Sequence, residues 1–132
     1  MLEVDRWPEL RQPVLVVALQ GWVDAGMAGA RGIEVLRDQL DAARAFARID
    51  LSDLVDLQQT RPTIEIVDGV TRRISWPAIE CVAGRLGRDV VLVSGPEPSL
   101  RWPTVIGALV AAARRLGVVA AYGLGAMPAV ST

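Results

Sequence analysis

Two runs of consecutive apolar residues, Val14-Leu15-Val16-Val17-Ala18-Leu19 and Val90-Val91-Leu92-Val93, limit what this chain can become. A strand with one covered face alternates polar and apolar residues, whereas an unbroken apolar run belongs to a strand covered on both faces. Each run ends in a glycine-containing stretch, Gln20-Gly21 and Gly95-Pro96-Glu97-Pro98, and each is followed by a helical pattern. After the first, Asp24-Ala25-Gly26 opens a predicted helix in which Met27, Ala30, Ile33, Leu36 and Leu40 recur at three- or four-residue spacing, with Arg31, Glu34 and Asp38 elsewhere. After the second, a helix is predicted from Pro103 through Leu116. Proline suits its first turn, Arg114 and Arg115 suit its last, and Gly117 suits a left-handed cap.

The remaining segments fit a sheet around these two units. Arg44 to Ile49 reads as a strand, so the chain opens as a β-loop-α-β unit with the usual right-handed crossover. Leu51 to Pro62 is polar and aperiodic, the pattern of a loop. Thr63 to Val67 and Val70 to Trp76 flank Asp68-Gly69, a dipeptide suited to a two-residue hairpin turn. Ile79 to Ala83 reads as an extended piece in preference to one helical turn, Gly84 to Arg88 as a turn, and Val118 to Gly123 as the last strand. The order implies one α/β domain over residues 1–132: a mixed, mostly parallel sheet flanked by helices on both faces, with an inserted hairpin. Val14 to Leu19, Val90 to Val93 and Val118 to Tyr122 should be neighbouring, mostly parallel and buried.

Composition removes several functional classes. All 14 basic residues are arginine, they balance 15 acidic ones, and no basic run exists to attract nucleic acid or an anionic membrane. Histidine is absent, which excludes Ser-His-Asp and Cys-His catalysis within this chain and removes the commonest proton shuttle and metal ligand. No apolar run approaches the roughly 20 residues that span a bilayer. The charged start Met1-Leu2-Glu3-Val4-Asp5-Arg6 does not resemble a signal peptide, so a cytoplasmic protein is expected. The single cysteine, Cys81, lies in an apolar stretch and reads as a buried thiol. No catalytic residues, metal site or cofactor are expected.

What remains is a candidate crevice. Gly21, Trp22, Asp24 and Gly26 follow one apolar strand, and Glu97, Arg101 and Trp102 follow another; loops at the carboxyl ends of parallel strands form the ligand crevice of open α/β sheets. On a functional reading Asp24 and Glu97 are polar determinants, Arg101 clamps an anion or carboxylate, and the tryptophans form apolar walls. On a structural reading Asp24 is a helix N-cap, the glycines accommodate the backbone, and Arg101 pairs with Glu97. Gly123-Leu124-Gly125 has no following helix and does not match a dinucleotide fingerprint. Trp7 and Trp76 suit packing over a sheet edge better than a partner surface, and Asp53 and Asp56 suit a solvated loop better than a metal site.

Three stretches together resemble the proteasome assembly chaperone 2 family, especially its bacterial branch: Val16 through Gly26, Leu92 through Trp102, and Leu116 through Pro128. The pairing of a strand running into Gly-Trp-Val-Asp-Ala-Gly with another running into Gly-Pro-Glu-Pro-x-x-Arg-Trp carries the resemblance. It implies a fold similar to that of purine nucleoside phosphorylases. It also implies a non-enzymatic protein-binding role in proteasome assembly or engagement, with proteasome subunits or another protein as partner. Members are about twice as long, so the resemblance implies the N-terminal part of a longer domain, truncated at its C-terminal end. Two other readings stand beside it: a small-molecule, phosphorylase- or hydrolase-like site at the crevice, and a remnant without independent activity. A sheet cut short leaves an uncovered edge, so a homo-oligomer is expected.

Overall fold

The computed structural model describes residues 2–21, 27–52, 63–67, 70–75 and 77–126. The elements in chain order are β1 (Leu2–Val4), β2 (Val14–Gln20), α1 (Ala28–Gln39), β3 (Asp41–Asp50), β4 (Thr63–Val67), β5 (Val70–Ser75), β6 (Ala78–Arg85), β7 (Asp89–Pro96), α2 (Trp102–Leu116) and β8 (Ala120–Gly123). Six strands form one sheet in the order β1-β3-β6-β7-β2-β8, and β4 and β5 form a separate two-stranded ladder. That ladder is the expected hairpin, with Val67 opposite Val70 and a register shift between Glu65 and Ile66. Its Asp68-Gly69 turn lies outside the described residues, as does most of the expected loop before it.

β2 is parallel to β7 on one side, with Val14 opposite Val90 and Val17 opposite Val93, and parallel to β8 on the other, with Val16 opposite Tyr122. The three apolar segments are therefore neighbours and parallel, as expected. The sheet as a whole is mixed but not mostly parallel, because β1-β3, β3-β6 and β6-β7 are antiparallel. The reason is the tight turn at Leu86 to Arg88, closed by Leu86 N–H donating to the Arg88 carbonyl at 2.9 Å, which folds β6 directly back along β7. β6 and β7 also separate β3 from β2, so the opening β-α-β unit does not join neighbouring strands. β8 departs from the expected burial: it is an edge strand, and Tyr122 is 57% exposed.

Alternation along the central strands builds two cores. Val91 and Val93 of β7 face one side, with Phe46, Ile49, Cys81 and the α2 residues Val105 and Leu116. Val90 and Leu92 face the other, with Ala18, Val82, Ile33 of α1 and Leu40 just beyond it. Successive side chains point to opposite faces of a strand, so the unbroken apolar run of β7 serves both layers at once. Each large apolar side chain fully buried there contributes roughly 1.5–3 kcal/mol. α2 starts one residue before the expected Pro103, and Gly117 ends it at φ 74° with its N–H shared between the Ala113 and Arg114 carbonyls. Cys81 is buried within the α2-side core, and removal from water pushes its thiol up to about 11. Trp7 packs against Phe46 with ring centroids 6.2 Å apart, and the Arg115 guanidinium lies 4.5 Å from its ring centre. That aromatic contact joins the N-terminal segment to the last turn of α2, the packing role expected of Trp7. Trp76 lies outside the described residues.

Candidate functional site

β2 and β7 lie side by side and point the same way, yet the helices that follow them cover opposite faces of the sheet. α1, after β2, packs on the face of Val90 and Leu92, while α2, after β7, packs on the face of Val91 and Val93. Where two neighbouring parallel strands send their chains to opposite faces, the connections diverge and leave a crevice beyond the carboxyl ends. Of the candidate residues, Gly21 follows β2 and Glu97, Arg101 and Trp102 follow β7.

Two of them meet directly. Glu97 N–H donates to the Gln20 carbonyl at 2.8 Å, extending the β2-β7 pairing beyond the Gln20-Pro96 register. The Glu97 side chain lies over Gly21 so closely that a Cβ there would be 2.6 Å from Glu97 Cδ and 2.7 Å from Oε2. Gly21 thus leaves room for a half-buried carboxylate at the carboxyl end of β2. One residue before the end of β7, Gly95 serves a different contact. A Cβ on it would lie 2.5 Å from the Ala78 carbonyl oxygen and 2.8 Å from the Ile79 Cα, atoms of a backbone already held in the sheet.

Arg101 and Trp102 open α2 beside them. Arg101 is the N-cap, exposed and left-handed at φ 57° and ψ 39°, and its carbonyl accepts the N–H groups of Thr104 at 3.0 Å and Val105 at 3.2 Å. Trp102 is 39% exposed. Among the described residues no ion pair joins Arg101 to Glu97, so the structural pairing expected between them is not formed. Trp22, Asp24 and Gly26 lie outside the described residues. The N-cap of α1 is Met27, not Asp24, and the helix begins at Ala28 instead of opening at Asp24 to Gly26.

Met27 and Arg101 share a feature that their residue types did not signal. Both are left-handed N-caps at φ 57°, and neither side chain bonds its own helix. A residue with a Cβ in this region costs about 1–2 kcal/mol, and such strain gathers where backbone placement matters more than comfort. Of the four non-glycine residues with positive φ among the described residues, these two follow β2 and β7, while Gln12 precedes β2 and Ala42 lies in β3. Among the described residues no cluster of metal-ligating side chains is found, and no helix is long and apolar enough to cross a membrane.

A concavity lies away from the candidate residues. A groove of about 320 Å³ runs between α2 and the β2-β8 edge, lined mainly by Leu15, Val17, Leu19, Ile106, Val110 and Val118. Arg114 is the charged side chain among its lining residues.

The family model described as the PAC2 family matches residues 18–132, which include both strand-end motifs. This chain belongs to the PAC2 family. Its solved relatives include a Mycobacterium tuberculosis proteasome-assembly chaperone homologue, 39% identical with a TM-score of 0.82, of which the match covers 51% and of this chain 89%. A PAC2 family protein from Streptomyces avermitilis is also 39% identical, with a TM-score of 0.81 and the same two coverages. PbaB, an archaeal proteasome activator from Pyrococcus furiosus, is 17% identical over 93% of this chain and 49% of its own, with a TM-score of 0.66, a likeness of fold alone. This PAC2-family chain spans about half the length of those solved proteins. No curated protein matches the sequence.

Proposed function

We propose that this chain is a non-enzymatic protein-binding domain that acts in proteasome assembly or engagement, with its partner meeting the crevice at Gly21, Glu97, Arg101 and Trp102. The observation that carries the reading is the family match across residues 18–132, together with a 39% identical relative described as a proteasome-assembly chaperone homologue. The chemistry supports a protein partner: an exposed arginine with no ion pair among the described residues, a half-buried carboxylate and an indole are groups that anchor interfaces.

The test is co-elution of the purified chain with core-particle subunits encoded by the same genome. Glu97→Arg and Arg101→Glu should each weaken binding by about 30-fold, the loss of a typical anchoring contact. Absence of binding by the unaltered chain, or binding indifferent to both substitutions, would refute the reading. The switch-point position of the crevice supports a second reading, a small-molecule site of phosphorylase- or hydrolase-like ancestry in which Arg101 clamps an anionic group. That reading requires a metabolite-dependent rise in melting temperature that Arg101→Ala removes while core-particle binding stays absent.

A further inference from the structure

Glu97 stands on a backbone with little freedom. Pro96 before it has a ring-locked φ, and Pro98 after it confines Glu97 itself to extended backbone. Pro96 pairs with Gln20 in the sheet, the Glu97 N–H donates to the Gln20 carbonyl at 2.8 Å, and Pro98 is buried. The peptide that carries the carboxylate is therefore fixed to the end of β2. A glutamate side chain on such a backbone still has three rotatable bonds, and leaving them free would cost conformational entropy when a partner ordered them.

Gly21 removes part of that remaining freedom. The side chain of Glu97 lies across it, with Cγ, Cδ and Oε2 at 2.9, 2.6 and 2.7 Å from the place a Cβ would take, and real Cβ contacts essentially never fall below 3.0 Å. Only glycine admits this arrangement. Among the described residues no hydrogen bond or ion pair holds the Glu97 carboxylate, so shape alone sets its place. We infer that Gly21 is a positioning residue for Glu97: its missing Cβ makes the end of β2 a seat on which the carboxylate is presented, already ordered, as a fixed acceptor for a hydrogen-bond donor. The role rests on the reading of this end of the sheet as a protein-binding site, and it makes recognition there depend on a residue that has no side chain of its own. If Gly21 merely accommodated the backbone, the place of Glu97 would be indifferent to it. Gly21 has φ 157°, so alanine there brings backbone strain as well as the clash, and the test has to separate the two.

The first readout needs no partner. Carbodiimide coupling of glycine ethyl ester, mapped by peptide mass spectrometry, measures the accessibility of the Glu97 carboxyl in the unaltered chain and in Gly21→Ala, with far-UV dichroism and melting to establish that both are folded. The far end of a flexible side chain yields before a paired backbone does. Gly21→Ala should therefore swing Glu97 into water and raise its coupling roughly twofold, the gain in accessible area of a half-buried carboxyl that becomes exposed. Coupling at Glu3, on the far edge strand β1, should not change. The second readout is binding to core-particle subunits. Gly21→Ala and Glu97→Gln should each weaken it about tenfold, the loss of one charge-assisted hydrogen bond, and the double variant should be no weaker than either, because strain at Gly21 would add whereas a shared role does not. Glu97→Asp keeps the charge and leaves Gly21 untouched but is one methylene too short for the seat, and it should weaken binding to a similar degree. Unchanged coupling at Glu97 in folded Gly21→Ala, losses that add in the double variant, or full binding by Glu97→Asp would overturn the positioning role. If the unaltered chain binds no core-particle subunit, the proteasome reading falls, and the coupling rate still decides whether Gly21 places Glu97.

Discussion

Raising the pH isolates the energetic contribution of one buried atom. The thiol of Cys81 is pushed from 9.0 to about 11, first by its removal from water and then by neighbouring Glu80. Above about pH 9 the unfolded chain releases this proton while the folded chain retains it, so the unfolded state binds fewer protons and stability must fall as pH rises. The contribution is fully present below the unfolded value and is gone once the pH passes the folded one. Each pH unit within that window costs about 1.36 kcal/mol, which between about pH 8 and pH 10.5 amounts to roughly 2 kcal/mol. Against a domain stability of about 5–15 kcal/mol the loss is easily measured. Urea denaturation of the unaltered chain and of Cys81→Ala at both pH values separates this thiol from every other titrating group, since those groups are common to both proteins. The unaltered chain should lose roughly 2 kcal/mol more than Cys81→Ala. If the two lose the same amount within about 0.5 kcal/mol, the thiol is not shielded as its packing against the core requires.

Three substitutions, one at Gly95 and two at Arg101, test the backbone at the ends of β7 and the start of α2. Gly95→Ala drives a Cβ into the Ala78 carbonyl, which the sheet cannot easily move. It should cost about 3 kcal/mol by urea denaturation, and a change below about 0.5 kcal/mol would show that the strands part freely there. Arg101→Gly removes the left-handed strain of the α2 cap and should raise stability by up to about 1 kcal/mol, or about 4 °C in melting temperature, while weakening core-particle binding. Arg101→Ala keeps the strain, so it should weaken binding with little change in melting. A fall in both properties for Arg101→Gly would make the residue a structural one.

The elements legible in the sequence were those whose local signals and tertiary environment agree. The β7 run Val90 to Val93 is apolar because both of its faces are covered, and the bounds of α2 follow from Pro103 and Gly117. β1 was missed because three residues flanked by charge carry no period; it is held by pairing Leu2 with Ile49 and Val4 with Ala47, far away in the chain. The antiparallel insertion of β6 was also hidden, since strand direction is decided by the turn and not by the pattern of the strand. Val118 to Tyr122 reads as a central strand because its residues are apolar, but apolarity does not fix a strand's place in the order, and among the described residues β8 pairs with β2 alone. At the crevice, Gly21 and Glu97 were recognisable from strand-end position. The left-handed caps at Met27 and Arg101 were not, because neither residue type favours that conformation.

The placement of β2 sets a timetable for synthesis. Its sheet neighbours are β7 and β8, and its first pairing, Val14 with Val90, spans 76 positions. At about 5–20 residues per second, ribosomes take roughly 4–15 s to produce that first partner. Throughout that interval the nascent chain carries Val14 to Leu19 as an apolar segment with both edges unpaired, and α1, made soon after it, can cover only the face of Val16 and Ala18. The strand that joins β7 to the edge strand β8 is therefore the one left longest without a sheet partner during its own translation, and it is the segment at which an arrested or slowed ribosome would yield an aggregation-prone product.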